Sequence, residues 1–248
     1  LGTALVSYVA LATSWGQSLD ERGLRAVQVD RGGLVTLLSV LGRVSIGAVA
    51  AVCLVCAAVA LLRGSARLAV AAVVVVGGAN VTTQLLKHGL LERADLGIVS
   101  ANSLPSGHTT VVASAVGALC LVAPRFIRPV LALAGAFAVT LVGSSTVVAG
   151  WHRPSDVIAA LGVSLAWTAL ASLVVGGTRR PLRGLLVAAG LGAVVATAAL
   201  VALGVRPVAG ASTPLQVCLV YGVLGAASAA TVALMERVSP THTGAGQP

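Results

Sequence analysis

A helix needs about 20 apolar residues to cross the hydrocarbon core of a bilayer, and runs of that length recur along this whole sequence. Only helices and closed barrels satisfy their own backbone inside lipid. The alternation of polar and apolar residues that a barrel strand requires is missing here. The expected fold is therefore all-α, a polytopic transmembrane helix bundle. Composition agrees: 57% of the 248 residues are apolar and 9% are charged, where a soluble domain carries about 25% charged residues.

The pattern divides into eight expected spans, near 1–14, 35–62, 68–90, 106–123, 129–150, 154–175, 183–204 and 214–235. The sequence opens at Leu1 inside an apolar run, so the first helix is expected to be cut short. Between the first two spans, GQSLDERGLRAVQVDRGG has the charge to form a short interfacial helix. The polar end, SPTHTGAGQP, reads as a disordered tail. No linker separates domains, so 1–248 is expected to be one membrane domain. It comprises a core at 35–175, an additional hairpin at 183–235 and a polar tail at 236–248.

A net charge of +9 raises the question of nucleic acid. The basic residues are scattered singly between apolar runs, not clustered with aromatics on one face, which excludes that class of partner. They fit the cytoplasmic loops of a membrane protein instead. The pairs Arg63/Arg67 and Arg125/Arg128 and the trio Arg179, Arg180 and Arg183 carry no acid among them. The alternate loops mix signs, with Asp20, Glu21, Arg22 and Arg25, then Glu92, Arg93 and Asp95, then His152, Arg153 and Asp156. This asymmetry predicts both termini in the cytoplasm and the mixed loops outside. The preference for Ala, Val and Arg points to a bacterial cytoplasmic membrane. Cys53, Cys56, Cys120 and Cys218 all sit in apolar runs and read as small hydrophobes, not as a metal or redox set.

Three polar stretches fall on the outer side. In NVTTQLLKHGLLERAD, residues Asn80, Thr83, Gln84 and Lys87 share one helical stripe. A stripe ending in an ammonium is costly against lipid and should face the protein interior or a wet cavity. In NSLPSGHTTVVAS, Pro105 ends a loop and Ser106, Gly107 and His108 open a span. A helix N-terminus offers unpaired N–H groups and the positive end of the dipole to an anion. Gly107 allows close approach to the backbone, and Ser106 can donate its hydroxyl. In SSTVVAGWHRPSDVIAA, Asp156 follows His152 by four residues and can fix its tautomer. Two cations, a helix end, two histidines and a carboxylate at one depth describe phosphate recognition beside a histidine able to attack phosphorus.

These residues resemble the type 2 phosphatidic acid phosphatase (PAP2) family, with its motifs K-x6-R-P, P-S-G-H and S-R-x5-H-x3-D. P-S-G-H is intact at residues 105–108, H-x3-D is present at 152–156, and Lys87 lies upstream. The resemblance covers roughly residues 35–175. It implies a six-helix core, no metal and no cofactor. It also implies that His152 is the nucleophile, Asp156 its orienting carboxylate and His108 the acid for the leaving group. Lys87, Arg93, Ser106 and the Gly107 amide would hold the phosphoryl oxygens. The implied substrate is a lipid phosphate at the outer face: a polyprenyl phosphate or diphosphate, phosphatidylglycerol phosphate, phosphatidic acid or a prenyl-linked sugar phosphate.

Two departures stand out. Lys87 and Arg93 are separated by five residues and followed by Ala94, not proline. Thr146 stands where the third motif has arginine. A charge-assisted hydrogen bond is worth roughly 1.5–3 kcal/mol, so its loss corresponds to about a 10- to 100-fold slower reaction. Arg153 or Arg43 is the candidate to replace that charge. The alternative is a catalytically degenerate protein that binds or transports anionic lipids. A metal site made of His88, His108 and His152 lacks compact ligand spacing.

Overall fold

The computed structural model describes residues 2–29, 31–42, 46–98, 101–176, 181–203, 205, 207 and 212–239. Arg43, Arg179, Arg180 and the tail from residue 240 lie outside the described residues. The helices are α1 (Gly2–Ala12), α2 (Ser14–Ala26), α3 (Arg31–Leu41), α4 (Ile46–Leu62), α5 (Ala66–Leu85), α6 (Gly107–Val122), α7 (Arg128–Val148), α8 (Pro154–Val175), α9 (Leu182–Ala202) and α10 (Pro214–Val238). A π-helical turn at Leu86–Leu90 extends α5. Among the described residues there is no strand, only an isolated bridge between Val29 and Pro207.

Among the described residues, five helices are long and apolar enough to cross a membrane: α5 with its π turn, α7, α8, α9 and α10. Shorter apolar helices at Gly2–Ala12, Ala50–Leu62 and Gly107–Val122 accompany them. This is an all-α polytopic bundle, the signature of an integral membrane protein. The charged stretch after the first run does form a helix, α2. The run at 35–62 differs from its expected single span. It is two helices, α3 ending at Leu41 and α4 beginning at Ile46, with Gly42 in a turn. They pack on different partners, α3 on α7 and α4 on α5 and α6. Uniform hydropathy carries no record of such a change of partner.

Helix starts are set by small hydroxyls and prolines. The hydroxyls of Ser65, Ser106 and Thr213 accept from the N–H of Leu68, Thr109 and Gln216 at 3.3, 3.4 and 3.3 Å. Each meets one of the donors that a first turn leaves without an intrahelical partner. Prolines occupy the first turn of α7, α8 and α10, where their missing N–H costs nothing.

Helices α5, α6 and α8 pack against one another at the centre, with α4 laid over α5 and α6. The C-terminal pair is integral to this bundle: α9 lies along α7, and α10 touches α6, α7 and α8. Gly192 permits the α7–α9 approach, since a Cβ there would collide with the Leu133 carbonyl. Such close approach of backbones over small residues is how membrane helices gain packing where lipid offers no hydrophobic contrast.

At one end of the bundle, Arg128 is buried with its Nη1 3.7 Å from Glu236 Oε2 and donating to the Ser239 carbonyl at 3.0 Å. Its charge is therefore answered by α10 and does not belong to a purely basic loop. At the other end, α1 lies on α8. The corner between α1 and α2 is tied to the loop before α6, because Gln17 Nε2 donates to both the Leu11 and Ala94 carbonyls at 2.9 and 2.8 Å.

Candidate active site

The turn between α7 and α8 presents His152. Gly150 adopts φ +77°, a conformation that glycine reaches without strain. The carbonyl of Thr146 then accepts from the N–H groups of both Trp151 and His152, at 3.1 and 3.2 Å. Pro154 opens α8 at once, so His152 and Asp156 are separated by one tight, rigid turn.

His152 is 6% exposed and Asp156 is fully buried. Nδ1 of His152 lies 3.1 Å from Asp156 Oδ2. A buried carboxylate at that nitrogen selects the tautomer with its proton on Nδ1 and leaves the Nε2 lone pair free. The same oxygen accepts from the Ser103 hydroxyl at 2.6 Å and from the Arg153 backbone N–H at 2.9 Å. Ser103 in turn accepts from Arg153 Nη1 at 3.0 Å. The carboxylate is thus held by three donors from two segments of chain.

The second histidine enters from α6. The Ser106 N–H donates to the Asp156 carbonyl at 2.9 Å, which locks the start of α6 to the start of α8. Ser106 is fully buried, and its hydroxyl accepts from the Thr109 N–H and Oγ1. The structure therefore gives Ser106 a capping role. Gly107 and His108 follow, both half-buried. The His108 ring stands against Trp151 with centroids 5.4 Å apart. It also lies within electrostatic reach of His152 and Lys87. Lys87 sits in the π-helical turn, half-buried.

Of the polar stripe of α5, Thr83 is buried and Asn80 and Lys87 are half-buried, whereas Gln84 departs from the expected inward face. The Thr83 hydroxyl is 2.9 Å from that of Thr110, and Asn80 Nδ2 donates to Ser114 Oγ at 3.3 Å. Gln84 is exposed, with its Nε2 toward Gly107.

Arg93 is 7% exposed, and its Nη1 donates to the Ala10 carbonyl at 3.1 Å, while Nε and Nη2 have no hydrogen-bond partner among the described residues. Its charged neighbours are Arg153, Asp156, Asp20 and Glu21. Burial, then the nearby Arg153 charge, pulls this guanidinium below its ordinary value. Arg93 thus stands with the Asp156 side of the site. Thr146 is fully buried, and its hydroxyl donates back to the Gly143 carbonyl at 2.8 Å. It supplies backbone to the His152 turn, not charge.

Two residues were invisible to motif reading. Asp20 accepts from the Ser155 N–H at 2.9 Å and from the Ser155 hydroxyl. Glu21 lies 3.4 Å from Arg153 Nε. Burial first, and the Asp156 charge further, push the Asp20 carboxyl up to about 6 against the pull of its Ser155 hydrogen bonds. Asp20, Glu21 and α2 lie outside the three polar stretches, and nothing in their own spacing announces the contact.

Among the described residues no group of three metal-ligating side chains clusters, and His88 is exposed. The arrangement can orient an imidazole, present its second nitrogen to an electrophile and supply a neighbouring imidazole for proton transfer. No curated protein and no solved structure matches the chain. Residues 68–180, a little under half of the chain but all of the segment bearing Lys87, Arg93, His108, His152 and Asp156, match the model of the PAP2 superfamily, and that match implies a phosphatase-type function.

Proposed function

We propose that the protein is a phosphatase of membrane lipid phosphates or diphosphates acting through a phosphohistidine. The observation that carries the proposal is the His152 Nδ1–Asp156 Oδ2 contact beside His108. In the first step Nε2 of His152 attacks phosphorus and the bond to the leaving oxygen breaks. His108 gives that oxygen a proton. In the second step water attacks phosphorus, His108 takes its proton, and the electron pair of the P–N bond returns to Nε2. Lys87, the Gly107 amide and the unpartnered donors of Arg93 offset charge on the phosphoryl oxygens. Ser106 sets the start of α6 on which this depends.

A lipid substrate is favoured by an apolar groove of about 440 Å³ that meets the site at Pro154 and Ser155. Its walls include Leu5 and Val9 of α1, Leu19 of α2 and Leu219 of α10. The groove has the volume and lining for part of a polyprenyl or acyl chain, and it borders Asp20, Pro154 and Ser155 beside the dyad. The candidate substrates are polyprenyl phosphate or diphosphate, phosphatidylglycerol phosphate, phosphatidic acid and prenyl-linked sugar phosphate. We place the site at the outer face of a bacterial cytoplasmic membrane. Arg63 donates to Val122 at the C-terminal end of α6, the end away from Ser106–His108, and short basic loops mark the cytoplasmic side.

Thr146 favours a second reading, a degenerate protein that binds or moves anionic lipids, because its hydroxyl is committed to Gly143. Phosphate release from these lipids, with wild type and His152→Ala side by side in EDTA, decides between the two. Release that vanishes in the variant supports histidine chemistry. Absence of release from wild type across pH 5–8, with lipid phosphate still bound, selects the second reading.

A further inference from the structure

The dyad is embedded in the pentapeptide His152-Arg153-Pro154-Ser155-Asp156. Proline fixes its own backbone, which leaves Arg153 and Ser155 as the two residues whose placement sets the relation of His152 to Asp156. Both face adjacent carboxylates of a helix more than a hundred residues away in sequence, Ser155 through hydrogen bonds and Arg153 through an ion pair. Asp20 holds Ser155 through backbone and side chain, and Glu21 faces Arg153. We propose that α2 is the positioning element of this site: Asp20 and Glu21 hold Ser155 and Arg153, and through them set the angle at which Asp156 presents His152.

The electrostatics argue that the grip serves more than packing. Asp20 is 6% exposed and lies within reach of the Asp156 charge. A second carboxylate beside a buried one is an unfavourable choice for a strap. It is a good choice for the orphan N–H of a helix first turn, where the positive end of the dipole favours an anion. Glu21 is itself steadied, since Oε1 accepts from Arg25 Nε at 2.9 Å. Trp15 and Leu19 of α2, 64% and 50% exposed and four residues apart, line the apolar groove together with Asp20, Pro154 and Ser155.

The test rests on the phosphatase reading for its kinetics but not for its second readout. Asp20→Asn, Glu21→Gln, Ser155→Ala and the Asp20→Asn/Ser155→Ala pair are compared with the full chain in detergent, using p-nitrophenyl phosphate and phosphatidic acid. The expected result is a kcat reduced about 10-fold with KM within about twofold, as for a displaced but intact dyad. The double variant should fall by less than the sum of the two single losses, because both changes weaken the same two-bond contact. Nitrogen-15 spectra of histidine-labelled protein, with His152 identified by its loss in His152→Gln, should show its ring nitrogens moving in Asp20→Asn and Glu21→Gln. An unchanged kcat, or additive losses in the double variant, overturns the proposal. If wild type hydrolyses neither probe, the reaction assigned above fails, and unmoved His152 nitrogens in Asp20→Asn overturn the positioning role separately. Should Asp20→Asn not fold, Ser155→Ala carries both readouts.

Discussion

Ser103 and Asp156 are 53 positions apart in sequence, and the Ser103 hydroxyl donates to Asp156 Oδ2 at 2.6 Å. The same oxygen faces His152 Nδ1. The loop that leads into α6 therefore helps to hold the carboxylate that orients a residue of the α7–α8 turn.

Asp156→Asn keeps the shape of this side chain but can offer its amide N–H to His152, which selects the wrong tautomer. Its activity should fall by about 10³- to 10⁴-fold. Ser103→Ala leaves the carboxylate and removes one of its donors, and should cost about 10-fold, the scale of one charge-assisted hydrogen bond. Steady-state phosphate release by the two variants checks both values. An Asp156→Asn protein as active as Ser103→Ala would remove the dyad from the mechanism.

Thr146→Val should leave activity within about twofold, since the hydroxyl it removes is a back-bond within α7 and the site uses only the Thr146 carbonyl. A large loss of kcat in this variant, with the thermal midpoint unchanged, would place the hydroxyl at the reacting group.

Asp20 makes stability depend on pH in an uncommon direction. Its carboxyl, ordinarily at 3.8, is raised to about 6 in the fold, so the folded state binds this proton more tightly than the unfolded chain does. The contribution is fully present below about 3.8 and is lost as pH rises through about 6. Thermal midpoints of wild type relative to Asp20→Asn should therefore rise as pH is lowered from 7 to 5. A difference that stays flat across this window would show that the carboxyl is not raised.

Removing one partner from the Arg128–Glu236 pair leaves the other charge buried, since both side chains are almost wholly inaccessible. Arg128→Ala should destabilise the protein by about 3–5 kcal/mol, whereas joint replacement of Arg128 and Glu236 by methionine should recover much of that. Thermal unfolding in detergent of the single and double variants tests this, and equal losses in both would contradict it.

Hydropathy made the architecture legible because the membrane imposes one element type and one approximate length. It could not show that 35–62 breaks near Gly42, since both halves are apolar and only their partners differ. The nearness of His152 to Asp156 was legible for a different reason: a spacing of four residues across a helix start already dictates much of that geometry. Arg93 was legible as a cation, but its placement among Asp20, Glu21, Arg153 and Asp156 depends on how α1 and α2 fold back. The roles of Asp20 and Glu21 were not legible at all. A contact across 135 positions leaves no local trace, and DER within a charged stretch reads first as a solvated face.

The groove bounded by α1, α2, α8 and α10 has exposed Leu5, Trp15, Leu219 and Val223 along its walls. On the proposed lipid-phosphate reading, a chain entering such a groove comes sideways out of the bilayer, so the encounter takes place in two dimensions. The quantity that governs its rate is then the mole fraction of substrate among the surrounding lipids. Adding inert lipid at constant bulk substrate would slow turnover of a long-chain phosphate and leave a water-soluble ester untouched.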